Sequence, residues 1–576
     1  MPPAPAAGRE RSDRRGLQAK RVSDRQAQIL PPELVEAQMA LRGLEGVAPR
    51  PGAESRRTYE GPPDPEALLA HLGYSEFRPG QREPVEAALA RRDSLVVMPT
   101  GGGKSLCYQL PGLARAELTI VVSPLIALMA DQWKRLHGAG HPAAMIASGL
   151  PEGMAREAFG QIRGGQARIV YCSPERFASG YFMEAISERE VDLFVVDEAH
   201  CISEWGHDFR PDYLELPGVI ERLGRPALMA CTATATPEVA AEISRRLGLR
   251  EPVQVRAGFD RPNLCFDIVR FDGKGSKARK LALLRHGLAD PANRPAIVYA
   301  GTRRDTDELA RALSEGGLPA AAYHAGLEPD ERASAQHRFM SGDAEVIVAT
   351  TAFGMGVDKS DVRSVWHWAI PTSVEGYYQE AGRAGRDGLP ARAVLLAGRS
   401  DLGRLIRFIE RSEADSAVAG STDPAVVRER GWRAYRAIER FSFTDGCRRR
   451  RLLAHFGDSS AGAPLGRCCD VCDPDTGLPD PEQLRVDSAR HRGSKEIAPR
   501  ADLPGEGTVL FERLKAWRLR TAAGKPAYTV ANNRTLEQIA ALRPPDREAL
   551  ARIHGVGPAF ISRHAAEVLE LIAAPG

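Results

Sequence analysis

The segment Met98-Pro-Thr-Gly-Gly-Gly-Lys-Ser105 sets three successive glycines before a lysine and a hydroxyl. Glycines in such a run let backbone N–H groups turn inward and cradle phosphate oxygens. Lys104 can then reach the β- and γ-phosphates of a nucleoside triphosphate, and the Ser105 hydroxyl can bind Mg²⁺. Met98 stands where the usual phosphate-loop pattern has its first glycine, but Thr100, Gly101, Gly102, Gly103, Lys104 and Ser105 are intact. Further on, Val195-Val-Asp-Glu-Ala-His200 supplies two adjacent carboxylates. Asp197 suits a magnesium ion, directly or through water, and Glu198 suits activation of an attacking water. Gln379-Glu-Ala-Gly-Arg-Ala-Gly-Arg-Asp-Gly388 places Arg383 and Arg386 three residues apart, so on a helical turn both face one way. The planar, permanently charged guanidinium is the side chain suited to a transferring phosphate. Together the three segments carry the chemistry of ATP hydrolysis.

Two further groups point elsewhere. Cys447, Cys468, Cys469 and Cys472 offer four thiolates, enough for tetrahedral zinc. Cys468 and Cys469 are adjacent, which demands a strained local turn, so His455 or water stands as an alternative for one ligand. The other five cysteines are scattered singly. Trp205, Phe209 and Tyr213 recur every fourth residue just after His200, with His207, Asp208 and Arg210 between them. Aromatic faces stack on bases with little sequence preference, and polar neighbours can hold phosphates. The same spacing fits a core helix stripe; the interleaved charges favour nucleic acid.

These residues need a scaffold. Short apolar runs alternate with helical patterns from about Pro65. One series of expected strands is Ser94–Met98, Leu118–Ser123, Arg168–Cys172, Leu193–Val196 and Ala227–Cys231. A second is Ala296–Tyr299, Ala320–Tyr323, Val346–Ala349, Ser364–Trp368 and Ala393–Leu396. Strands separated by helix-length segments imply parallel sheets, here in two tandem α/β domains joined near Arg270–Ser276. After Ser400 the strands stop, and residues 428–451 hold nine arginines against three acidic residues. Residues 473–504 lack periodicity and read as a linker. Residues 505–574 are helical again, with Leu536, Ile539 and Leu542 on one face. The first 58 residues read as a flexible basic tail or a misassigned start, with one short amphipathic helix over Pro32–Leu44.

The chain has 576 residues, 43% apolar and 27% charged, with 78 Lys and Arg against 75 Asp and Glu. A net charge of +3 excludes bulk-charge binding of nucleic acid, so any such contact uses local patches. No apolar run reaches the roughly 18–20 residues of a membrane span, and the N-terminus lacks an export signal. The expected location is a reducing cytoplasm, with no membrane partner.

The motifs in their order resemble the superfamily-2 helicases, and more narrowly the RecQ family of DNA helicases. Leu72-Gly-Tyr-Ser-Glu-Phe-Arg-Pro-Gly-Gln81 resembles the adenine-recognition segment, in which Gln81 reads the base and Arg78 supports it. Val121–Gln132 and Tyr171–Arg176 resemble strand-contacting motifs, Asp197–His200 the DEAH box, Cys201–Tyr213 the aromatic-rich loop, and Thr232–Thr236 motif III. Tyr299–Thr302, Tyr323–Gly326, Ala349–Asp358 and Gln379–Gly388 correspond to motifs IV to VI. The match covers about residues 65–475.

The resemblance implies an α/β fold of two RecA-like parallel-sheet domains, a helical zinc-binding module and a small all-α HRDC-like domain. The expected divisions are a tail at 1–58, helicase domains at 59–270 and 271–400, the zinc module at 401–473, a linker at 474–504 and the HRDC-like domain at 505–576. It implies ATP, Mg²⁺ and Zn²⁺ as cofactors. Lys104, Asp197, Glu198, His200, Arg383 and Arg386 would be catalytic, with Arg386 as arginine finger. Trp205, His207, Phe209 and Arg210 would contact DNA, and Cys447, Cys468, Cys469 and Cys472 would hold zinc. It further implies 3′-to-5′ movement on single-stranded and forked DNA in recombination and repair. The expected protein is a cytoplasmic, nucleoid-associated monomer working beside a single-stranded-DNA-binding protein. An RNA helicase, or an annealing scaffold with a degenerate ATPase, are the competing readings. Ile553–Ile561 places Gly555 and Gly557 between helices, a turn that fits a phosphate or plain helix packing equally. The 32 residues from 473 to 504 are too few for the winged-helix domain common in the family.

Overall fold

Apolar runs bounded by turns make most of the strands, and parallel sheets whose faces are covered by the connecting helices bury such runs on both sides. The computed structural model describes Leu41, Leu44 and residues 59–99, 101–204, 206, 208–273, 275–351, 353, 359–419, 423–484, 505–522, 530–553 and 555–574. The first sheet holds β1 (Ser94–Val97), β2 (Leu118–Val122), β3 (Ala143–Ile146), β4 (Ile169–Cys172), β5 (Val191–Val196), β6 (Ala227–Thr232) and β7 (Val253–Arg256). Its order is β3-β4-β2-β5-β6-β1-β7, with parallel neighbours throughout. The second holds β8 (Leu264–Phe271), β9 (Ala296–Tyr299), β10 (Ala320–Tyr323), β11 (Val346–Ala349), β12 (Ser364–His367) and β13 (Ala391–Gly398). Its order is β10-β11-β9-β12-β13-β8, again parallel.

All ten expected strands are present, within two residues at each end. Three were not expected. β3 is an alanine-led run too short to stand out, β7 alternates polar and apolar residues, and β8 carries Asp267 and Arg270. β8 pairs with β13 along its whole length, so the second sheet starts at Leu264 and not near Arg270–Ser276.

β5, β6 and β1 are consecutive in the sheet, so the segments leaving their C-terminal ends converge. Those segments begin with Asp197, Ala233 and Met98. Met98 N donates to Thr232 O at 3.0 Å and Asp197 N to Val122 O at 2.8 Å, which continues the ladder into the loops. Such convergence at strand C-termini is where parallel sheets place ligands.

Leu41 and Leu44, expected within the tail, are buried as part of the first domain's core. The other residues of the expected Pro32–Leu44 helix lie outside the described residues. Leu478 and Leu484, expected in the linker, pack against the second domain's core, and Arg392 donates to Thr476 O at 3.2 Å.

The C-terminal helices Gly505–Thr521, Asn533–Leu542, Arg547–Ala551 and Pro558–Ala573 close around Leu514, Leu536, Ile539, Leu550 and Val568. Leu542 is exposed instead of sharing the face of Leu536 and Ile539. At 3.6 residues per turn, two steps of three residues rotate a side chain by about 120° away from the first. No helix among the described residues is long and apolar enough to cross a membrane.

Candidate active site

The glycine-rich loop joins β1 to the helix Lys104–Ala114. Gly103 caps that helix at φ 82°, in the left-handed region, and a Cβ there would lie 2.3 Å from Gln81 Nε2. Only glycine fits. Gln81 is buried, and its amide is turned onto the loop. Nε2 donates to Gly102 O at 3.2 Å and Gly103 O at 3.0 Å, while Oε1 accepts from Arg78 N at 2.8 Å. Arg78 Nη1 donates to Gly101 O at 2.8 Å. Both residues expected at the adenine therefore hold the phosphate loop in this conformation, and a base must exchange those bonds to be read. Thr100 lies outside the described residues.

Lys104 Nζ stands 3.8 Å from Glu198 Oε1, with both side chains mostly covered. Glu198 has φ 46° and ψ 46°, a left-handed backbone that turns the chain sharply after β5. Its N–H donates to Asp197 Oδ1 at 3.0 Å. The Asp197 carboxyl is pushed up to about 7 by burial and by the Glu198 charge, against the pull of Lys104. A buried carboxylate beside a second one is a site that a divalent cation relieves.

His200 Nδ1 lies 2.9 Å from Thr232 Oγ1 and 3.4 Å from Glu198 Oε2. Thr232 Oγ1 also accepts from Thr234 N at 3.3 Å. Thr234 Oγ1 in turn accepts from Gln379 Nε2, also at 3.3 Å, and Gln379 belongs to the second domain. A continuous polar path thus runs from the carboxylates to the opposite wall.

That wall carries the two arginines. The helix Val374–Ala381 ends just before them, so they sit on turns. The position that a Cβ would take on Gly101 is 3.9 Å from Arg386 Cγ, so Arg386 already lies against the phosphate loop. Arg383 Nε is buried with no hydrogen-bond partner among the described residues.

The four clustered cysteines converge. Their sulfurs all lie within 4.8 Å of one another, with Cys447 Sγ 3.8 Å from Cys468 Sγ and 4.0 Å from Cys469 Sγ. Those spacings are far beyond a disulfide bond and match thiolates around one tetrahedral ion. Both vicinal sulfurs point inward. His455 is engaged elsewhere, its Nε2 2.7 Å from Glu375 Oε1. The donor set fits zinc, and no fourth ligand has to be sought outside it.

Family models match in the same order as these sites. The DEAD/DEAH box helicase model matches residues 78–243, the helicase conserved C-terminal domain 279–388, RecQ zinc-binding 399–473 and the HRDC domain 508–572. The chain is 39% identical over 411 residues to the ATP-dependent DNA helicase RecQ of Bacillus subtilis, covering 70% of this chain and 67% of that one. A helicase of the same name from Pasteurella multocida is 39% identical over 408 residues, 71% of this chain and 62% of its own length. The RecQ-like DNA helicase BLM of Xenopus laevis is 36% identical over 414 residues, 70% of this chain and 30% of its own. The chain belongs to the RecQ family of ATP-dependent DNA helicases.

The aromatic-rich loop of this RecQ member corrects one expectation. Tyr213, set beside Trp205 and Phe209 as a stacking residue, is fully buried, and its hydroxyl donates to Asp197 O at 3.0 Å. It braces the carboxylate strand and presents no face to a base. Trp205 and His207 lie outside the described residues. Phe209 is half-buried, with the Arg430 guanidinium carbon 5.9 Å from its ring centre. Arg210 donates to Asp208 Oδ2 at 3.3–3.4 Å and to Pro124 O at 3.5 Å. Sequence reasoning missed Arg430, which also donates to Glu204 O at 3.5 Å and ties the helix Pro424–Phe443 to this loop. It also passed over Tyr74, an exposed ring in the segment of Arg78 and Gln81. Its signal was an aromatic residue on a polar loop beside a nucleotide motif.

The zinc cluster is fastened to the second sheet. Phe266 N donates to Cys468 O at 3.1 Å, Phe266 bridges Cys469 in parallel, and Ile268 N donates to Asp470 Oδ1 at 3.1 Å. Asp267, fully buried on the same strand, accepts from Arg392 Nη2 at 2.6 Å and from both Arg467 Nη atoms at 3.2 Å.

Proposed function

We propose that the chain couples ATP hydrolysis to 3′-to-5′ movement along single-stranded DNA and to the opening of duplexes during recombination and repair. The observation that carries this reading is Arg386 of the second domain lying against Gly101 of the first. Lys104 holds the β- and γ-phosphates, Glu198 orients the attacking water, and Arg386 with Arg383 meets the charge that develops on the γ-phosphate. Ser105 and Asp197 would hold Mg²⁺, which would neutralise charge on the phosphates. Gln81, Arg78 and the Tyr74 ring take the base. His200 links the carboxylates through Thr232 and Thr234 to Gln379, so loss of the γ-phosphate is felt by both domains. The two walls close on ATP and part after hydrolysis, and the grip of Trp205, His207, Phe209 and Arg210 advances along the strand. Cys447, Cys468, Cys469 and Cys472 would hold a structural zinc that braces the arginine-rich helices against DNA phosphates. Single-stranded and forked DNA are the partners, beside a single-stranded-DNA-binding protein in the nucleoid, with the chain acting as a monomer.

Lys104→Ala is expected to abolish DNA-stimulated ATP turnover, and Arg386→Ala to cut it about 10³-fold to a small measurable remainder, while single-stranded DNA binding persists in fluorescence anisotropy. Unchanged turnover in either variant refutes the site. Forks tailed at 3′ or 5′ ends report polarity, and only the 3′-tailed fork should open. Stimulation of the ATPase by RNA as strong as by DNA would favour an RNA helicase instead.

A further inference from the structure

The turn that carries the two arginines is held from outside its own domain's sheet. Arg261 lies on the segment between β7 and β8. Its Nη1 donates to Gly382 O at 3.1 Å, and its Nη2 to Ala384 O at 3.0 Å and Gly385 O at 2.9 Å. Asn263 Nδ2 donates to Gly385 O at 2.8 Å and Leu389 O at 2.9 Å. Gly385 has φ 58°, and a Cβ there would lie 2.5 Å from that same Nδ2. Gly382, Ala384 and Gly385, which bracket Arg383 and precede Arg386, are buried. A guanidinium offers five N–H donors in a rigid fork, so one side chain can fix several carbonyls at once.

The zinc module grips the same segment. Arg449 Nε and Nη2 each donate to the Asp260 carboxylate at 2.6 Å. Asp458 Oδ2 accepts from Phe259 N at 2.7 Å, and Leu465 N donates to Pro262 O at 2.7 Å. Phe456 stacks on Phe259 with ring centres 4.4 Å apart and planes 5° from parallel. The Tyr378 hydroxyl, on the helix that leads into the arginine turn, donates to Phe259 O at 2.6 Å.

We infer that Arg261 and Asn263 are positioning residues that aim Arg386, and that the zinc module sets this aim through residues 259–263. The inference rests on Arg386 acting at the γ-phosphate, as proposed above. Both act by fixing the backbone from which the arginine springs. A misplacement of about 1 Å at a catalytic group can cost roughly 10²-fold in rate.

The test uses the full chain, with ATP turnover measured on single-stranded DNA. Arg261→Ala and Asn263→Ala should lower kcat by roughly 10- to 100-fold while KM for ATP and DNA affinity stay within about twofold. Arg261→Lys, a point charge without the fork, should recover only part of the loss. Added to Arg386→Ala, the Arg261→Ala change should alter kcat by less than about twofold, because nothing remains to be aimed. A second full loss on that background would mean general loosening and would overturn the inference, as would a wild-type kcat in Arg261→Ala. Should Arg261→Ala not fold, Asn263→Ala and Arg261→Lys carry the same comparison. Arg449→Ala should reproduce the non-additive kcat loss; full kcat there removes the zinc module from the path. Normal turnover in Arg386→Ala would sink the function proposed above, whereas a crippled Arg386→Ala beside a normal Arg261→Ala sinks only the aiming.

Discussion

At the scale of single residues, the phosphate loop is under tension between two tasks. Gln81 and Arg78 bind its carbonyls, and in the function proposed above they also serve a base, so small changes there should show first in nucleotide affinity. Gly103→Ala forces a Cβ to 2.3 Å from Gln81 Nε2 at a left-handed φ. It should raise the KM for ATP about tenfold or more, equivalent to ~1.4 kcal/mol, with DNA binding unchanged in anisotropy. Gln379 makes a different kind of contact, the inter-domain bond to Thr234 at 3.3 Å. Gln379→Ala should leave binding of a fluorescent ATP analogue intact and reduce the stimulation of turnover by DNA several-fold. Stimulation equal to wild type would show that this bond transmits nothing.

At the scale of elements, what was legible followed from how loudly each segment states its environment. The ten expected strands are apolar runs buried on both faces, and the chemistry sits in the turns at their ends, so motif and scaffold announce each other. β3, β7 and β8 were silent because alanine, alternation and a buried aspartate do not look like a core strand from sequence alone. The aromatic loop misled at Tyr213, because a spacing of four does not tell a stacking ring from a bracing one. The vicinal cysteines looked strained in sequence, yet both sulfurs converge, with Cys469 held by a parallel bridge to Phe266. Asp267 on β8 yields the sharpest test of that junction. Asp267→Ala strands two largely covered arginines, Arg392 and Arg467, and should destabilise the fold by about 3–5 kcal/mol in urea titrations. A loss below about 1 kcal/mol would mean the pairings are solvent-screened and incidental.

At the scale of the whole molecule, we expect that the winged-helix domain common in the family, with the hairpin that would split a duplex, has too few residues to form between the zinc-binding and HRDC matches. The zinc-binding match ends at residue 473 and the HRDC match begins at 508. We expect robust DNA-dependent ATPase and displacement of streptavidin from single-stranded DNA, but slow separation of long duplexes; strand opening as fast as translocation would show that another element splits the strands. The cysteine knuckle has a further consequence for the living cell. β8 is the last strand of its sheet, and the segment Cys468–Asp470 occupies its outer rim. Bare rims of this kind recruit strands from neighbouring chains. A cell starved of the metal during synthesis should therefore lose this protein to insoluble clumps, and not accumulate a slow but soluble motor.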